Sequence, residues 1–226
     1  MKLSNGKLAA LIIALVIVID QAVKIWVKTH FYYGEEMEIT SWFKLVFIEN
    51  NGMAFGMELG SKLVLTLFRI IASGAFIYYL WRMRNRSDVP KGYVACIALI
   101  TAGALGNVID CIAYGLIFNN PMPPQVAQLF PPDGGYASLF NGRVVDMLYF
   151  PLCEWNWPQW MPMIGGDHFV FFQPIFNVAD ASLSVSVVVL ILFYAHYLAT
   201  LNTKDEEAEA NEEIELPQEE GTPTDE

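Results

Sequence analysis

Phe176-Asn177-Val178-Ala179-Asp180 opens the last long apolar segment of the chain, and Leu183 to Leu198 then runs almost without polarity. Pro174 stands just ahead, where a proline suits the first turn of a helix. The pattern predicts a membrane-spanning helix over about 174–198. Asp180 then falls about two turns inside that helix, with Asn177 three residues earlier on the same face. An ionisable group there is costly to hold in a bilayer and points to function, with a partner to be found. The candidate partner is Asp146, the one acid in the apolar run Val144 to Phe150. Two carboxylates brought together resist ionising together, which is the physical basis of a water-activating pair.

Three further apolar stretches, about 8–27, 63–81 and 93–118, approach the roughly 20 residues a bilayer crossing needs. The 226 residues are 54% hydrophobic and only 16% charged, where soluble domains carry about a quarter charged residues. The expected fold is a mainly α membrane protein. It has four transmembrane helices, a small outer β-containing subdomain and a long extracytoplasmic loop. Residues 1–201 form the membrane domain. The segment 202–226 holds eleven of the 24 acidic residues and reads as a disordered cytoplasmic tail. The first stretch follows Lys2 and Lys7, but no small-residue cleavage site succeeds it, so it reads as a retained span.

Arg82, Arg84, Arg86 and Lys91 crowd the link between the second and third spans. With Lys2 and Lys7 they place that link and both termini in the cytoplasm. The outer segments are then 30–61 and 119–173, and Lys24 and Lys28 read as side chains that snorkel to the outer interface. Phe43 to Ile48 is a strand expectation, closed by a turn at 49–52. Pro121, Pro123, Pro124, Pro131 and Pro132 rule out a continuous helix in the second outer segment, where Trp155, Trp157 and Trp160 read as an interfacial belt.

Asp20 and Lys24, four apart, read as a structural ion pair. Gly103, Asn107 and Asp110 form one inward stripe, with helix packing and substrate contact both open as readings. Arg69, inside the second span, pairs with an internal acid or snorkels. Cys111 and Cys153 are a possible pair if both face an oxidising compartment. The histidines lie far apart, and neither a His-Glu-x-x-His nor a Gly-x-Ser-x-Gly stretch is present. No metal or organic cofactor is implied, and no basic patch suggests nucleic acid. The residues alone admit two rival readings. One is a small transporter or proton relay through Asp20, Asp110, Asp146 and Asp180. The other is a non-catalytic membrane assembly factor that docks through its loop or tail.

Five stretches in order carry a resemblance: Asp20-Gln21-Ala22-Val23-Lys24, Asn50-Asn51-Gly52-Met53-Ala54-Phe55, Gly103 to Asp110, Gly142-Arg143-Val144-Val145-Asp146, and Phe176 to Asp180. Together they resemble the bacterial lipoprotein signal peptidases (signal peptidase II). The resemblance implies a membrane aspartyl endopeptidase that cleaves diacylglyceryl-modified prolipoproteins before the lipidated cysteine. It implies a multi-pass protein of the bacterial inner membrane, active at the outer face, with prolipoprotein and membrane lipid as partners. A monomer is expected. Carried over, Asp146 and Asp180 form the dyad. Asn50, Gly52, Asn107 and Asn177 hold substrate or orient the dyad, and Asp20, Lys24 and Asp110 support it. The family pattern also has an arginine directly after Asp110. Cys111 stands there, and Arg143 is the expected replacement cation. The intervals from Asp110 to Asp146 and from Asp146 to Asp180 are longer than usual for the family.

Overall fold

A computed structural model describes residues 3–51 and 62–215, with side chains of the last helix described as far as Thr200. Its helices are α1 (Asn5–His30), α2 (Lys62–Met83), α3 (Lys91–Ile109), α4 (Gly115–Ile117) and α5 (Val178–Glu215); a π-helical turn, Asp110–Tyr114, joins α3 to α4. Among the described residues, four segments are long and apolar enough to cross a membrane: Asn5–His30, Lys62–Met83, Lys91–Ile117 and Val178–Thr200. The one over α3 is buried for 67% of its apolar window, against 17% for those over α1 and α2. So α3 is the central helix, and α1 and α2 turn Leu11, Leu15, Val18, Val64, Phe68 and Ile71 outward. An apolar outward face is what a lipid environment accepts.

Residues Met1–Val187 make one compact unit and a second begins at Val188, inside α5. The helix continues through Glu215, so the leading part of 202–226 is helical, contrary to the disorder expected from its composition. Its Glu, Ala and Lys are all strong helix formers.

Small glycines let the helices of the first unit meet. A Cβ on Gly103 would lie 2.4 Å from the Ala179 carbonyl oxygen, and one on Gly106 would lie 2.7 Å from Asp20 Oδ2. The inward stripe on α3 therefore packs backbone against the first turn of α5, as small residues do in membrane proteins.

The expected strand is present as β2 (Phe43–Asn50), in a four-stranded antiparallel sheet of order β1-β2-β3-β6. Its other strands are β1 (Glu36–Thr40), β3 (Val144–Tyr149) and β6 (Ile175–Phe176), and a separate hairpin pairs β4 (Cys153–Asn156) with β5 (His168–Phe171). Alternation along β3 divides its side chains between two faces. Val145 and Met147 enter a buried cluster with Val27, Phe31, Phe47, Tyr114 and Phe118, while Asp146 faces the other way.

The interval from 119 to 142 returns to close the end of the third span. Tyr136 N–H donates to the Phe118 carbonyl (2.9 Å), Ala137 N–H to that of Gly115 (2.9 Å) and Gly142 N–H to that of Cys111 (2.8 Å). These bonds satisfy carbonyls that a helix end and a π turn leave unpaired. Gly142 is required there, because a Cβ would stand 2.1 Å from the Asp110 carbonyl oxygen.

Candidate active site

The fourth span does not begin at Pro174. Ile175 and Phe176 pair with β3, and the helix starts at Val178. Asn177 is its cap: the side-chain oxygen accepts the Asp180 N–H at 2.8 Å. An amide cap competes well for the first turn's unpaired donors, and it moves Asp180 from about two turns inside to the first turn. The Asn177 amide nitrogen points the other way. It donates to Asp146 Oδ1 at 2.7 Å, to the Val145 carbonyl at 3.2 Å and to Asn107 Oδ1 at 3.1 Å. One side chain thus starts the helix that carries Asp180 and holds the strand that carries Asp146.

Asn107 makes the second link, donating from Nδ2 to Asp180 Oδ1 at 2.7 Å. Its oxygen accepts from Lys24 Nζ at 2.9 Å. Lys24 is fully buried and completes its three donors on Asp20 Oδ2 (2.9 Å) and Asp110 Oδ2 (2.8 Å). Each acid has a further structural contact: Asp20 Oδ1 accepts the Ala179 N–H at 2.9 Å, and Asp110 Oδ2 accepts the Val145 N–H at 3.2 Å. Among the described residues, every buried side-chain nitrogen and oxygen has a hydrogen-bond partner.

Asp146 is 2% exposed. Burial pushes its carboxyl up to about 7, and the neighbouring Asp180 charge pushes the same way. Hydrogen bonds from Asn177 and Asn50 and the charge of Lys24 oppose them. The Asn50 contact follows from register. Ile48 pairs with Asp146 and Asn50 with Val144, so Asn50 is the diagonal same-face neighbour of Asp146. Among the described residues no group of three His, Cys, Asp or Glu side chains is arranged to hold a metal ion.

Residues 12–196 match the family model described as signal peptidase (SPase) II. The chain belongs to the signal peptidase II family. A lipoprotein signal peptidase from Porphyromonas gingivalis is 48% identical over 200 residues, which cover 88% of each chain. Another, from Amoebophilus asiaticus, is 37% identical and covers 79% of this chain and 73% of its own. Two solved structures described as a bacterial membrane enzyme superpose with TM-scores of 0.53. They are 24% and 25% identical, cover 88% and 83% of this chain and span 90% and 92% of their own.

Within this signal peptidase II chain, the structure brings together Asp146, Asp180, Asn50, Asn107 and Asn177 directly, and Asp20, Lys24 and Asp110 behind them. Gly52 lies outside the described residues. Arg143 is not with the dyad. Its guanidinium donates to Glu49 Oε2 at 2.9 Å and stacks 5.1 Å from the Tyr136 ring centre. The guanidinium at Cys111 belongs to Arg69, whose Nη1 is 3.6 Å from Sγ. Arg143, the expected replacement cation, is thus held on Glu49 of β2, and Arg69 is the cation in contact with Cys111. Cys111 and Cys153 are unpaired, the first buried in the π turn and the second exposed on β4.

Sequence reasoning gave Gln21 and Lys28 no inward role. Gln21 donates to Asp110 Oδ1 at 2.9 Å and to the Gly106 carbonyl at 3.1 Å, and accepts the Tyr114 hydroxyl at 3.1 Å. Lys24 and Lys28 do not snorkel. Lys28 is buried against Glu49, with the Phe47, Phe118 and Tyr136 ring centres 5.2–5.5 Å from its ammonium. The spacing Asp20, Lys24, Lys28, one turn apart each time, was the available signal for a polar stripe facing inward.

Proposed function

We propose that the chain removes the signal peptide from diacylglyceryl-modified prolipoproteins, cutting before the lipidated cysteine as an aspartic endopeptidase with Asp146 and Asp180 as its dyad. The observation that carries this reading is the pair of amide clamps, Asn177 on Asp146 and Asn107 on Asp180. Each clamp occupies a carboxylate oxygen as an acceptor, and Asn50 gives Asp146 a second donor. Asp146, raised to about 7, holds the shared proton and polarises the scissile carbonyl. Asp180 takes a proton from the attacking water. The substrate's acyl chains remain in lipid while its peptide bond reaches the polar end of the spans.

The same reading puts both termini in the cytoplasm and the dyad at the outer face. In its support, Gly6 N–H donates to the Arg84 carbonyl (3.0 Å) and Asn5 Nδ2 to that of Arg86 (2.6 Å), so the chain start and the basic link share one end. The dyad residues cluster with the C-terminal halves of α1 and α3. The reading also takes the chain as a monomer, since one chain supplies every group of the network, and the division at 201 between membrane domain and tail belongs to it.

Detergent-purified protein is expected to cleave a lipidated prolipoprotein before its modified cysteine. The rate should rise and fall with pH. It drops in acid when the pair gains a second proton, and drops through about pH 7 and above as Asp146 gives up the shared one. A flat profile with chemistry limiting the rate would sink the dyad mechanism.

Arg69 tests the assignment at Cys111. Arg69→Ala is expected to lower kcat/KM by about tenfold or more, the range of a hydrogen bond to a charged group. Adding Cys111→Arg should restore it. Arg143→Ala should leave kcat/KM near wild type and lower thermal stability, because Glu49 loses a partner. Failure of the double variant to recover would count against Arg69 as the functional cation.

A further inference from the structure

The β4–β5 hairpin ends in a tip, residues 157–166, that contains no charged residue. Trp160 is 80% exposed and Met163 fully exposed, beside the exposed Ile164. The tip is stiff. Trp155 and Trp157 pack on Phe169 with ring centres 4.4 and 5.8 Å away. Of the tip's eight backbone N–H donors, four bond within the hairpin: Trp157 to the Asp167 carbonyl, Met161 to Pro158, Gly165 to Met161 and Gly166 to Trp157. Pro158 and Pro162 carry no donor. The remaining donors suit a headgroup boundary, where water still reaches them, and not the dry bilayer core. Asp167 and His168 stand at the edge of the tip, with His168 Nε2 3.5 Å from Glu154 Oε2 on the facing strand. From Phe172 the chain has only the link to Val178 before the apolar helix begins, at most about 20 Å when extended.

We propose that this tip inserts into the outer part of the lipid leaflet on the side where α5 begins, with Trp160 and Met163 in the headgroup–acyl boundary. Three observations favour lipid over a protein partner. The ten residues 157–166 carry no charge for a partner to read, and Asp167 and His168 begin only where the tip ends. The tip is a run of turns at 159–166 and offers no extended edge for an added strand. The root of the hairpin, though not the tip itself, is tied within a short reach of a spanning helix. Trp at such a boundary keeps its ring in the apolar layer and its N–H in the wet one. With no cation at the tip, insertion needs no anionic lipid. The inference depends on the spanning helices and not on the peptidase reading, so either can fail alone.

The test labels Met163→Cys, in a Cys153→Ser background, with an environment-sensitive fluorophore and places the full chain in nanodiscs. Cys96 and Cys111 are buried and do not compete for label. The expected emission is blue-shifted relative to a label at Asp133→Cys. It should be quenched more by a doxyl group near the headgroup than by one at mid-chain, consistent with a depth of about 5–10 Å. The quenching should be equal in zwitterionic and mixed anionic lipid. Emission of a water-exposed dye without lipid quenching would overturn the proposal. A blue shift that no doxyl lipid quenches would also overturn it, since protein would then cover the tip. Quenching that appears only with anionic lipid would overturn the apolar basis of the contact.

Discussion

Replacing either Asp146 or Asp180 by asparagine is expected to lower the cleavage rate by about 10²–10⁴-fold or more, the contribution of a positioned acid or base. Both variants should remain folded. The amide is nearly isosteric, and Asp146 already sits where its neutral form is favoured. Stability then separates chemistry from structure. Folding raises the Asp146 carboxyl from the ordinary 3.8 to about 7, so the folded state binds that proton more tightly than the unfolded chain. The resulting stabilisation is present in full below about pH 3.8 and is lost as pH rises through 7. Asp146→Asn has no proton to lose there. Its unfolding midpoint should hold between those pH values, relative to wild type, while its activity is gone. Near-normal cleavage by either variant would remove that residue from the dyad.

Much of this was legible because membrane physics writes strongly into sequence. Four apolar runs gave the spans, and an isolated acid at the start of the fourth, with another in the outer run Val144–Phe150, pointed to the proposed dyad. The helix start at Val178 was less legible, because Pro174 satisfies both a helix N-terminus and the lead into a short strand. Only the pairing of Phe176 with Leu148 decides between them. Strand β1 was missed for a similar reason. Glu36-Met37-Glu38-Ile39-Thr40 is exposed throughout, so no buried face marks it, and β2 supplies its order. The bond from Arg143 to Glu49 was not legible, because it joins the residue before β3 to β2 across a long interval of chain. The Arg69–Cys111 contact joins two different helices, and no local spacing encodes it.

Lys24→Met should be the most damaging single change to stability, costing about 3–5 kcal/mol, because it strands two buried acids. Lys24 is the cation between Asp20 and Asp110, all three with side chains at 0% exposure. Neither acid can retreat to water without releasing the Ala179 or Val145 N–H it accepts, and with it the local seat of one dyad residue. The triple variant Asp20→Asn, Lys24→Met, Asp110→Asn removes the charges together and is expected to recover most of the lost stability. It should not recover cleavage. Asn107 would still lack the ammonium that fixes its oxygen toward Lys24 and its nitrogen toward Asp180. The expected signature is kcat lower by about tenfold or more with KM little changed, since substrate contacts are not altered. Should the triple variant regain both stability and kcat, Lys24 acts only by holding the fold, and Asn177 alone suffices to orient the Asn107 amide. Should kcat stay low at restored stability, the buried lysine sets the direction of the hydrogen bond that prepares Asp180 for its proton.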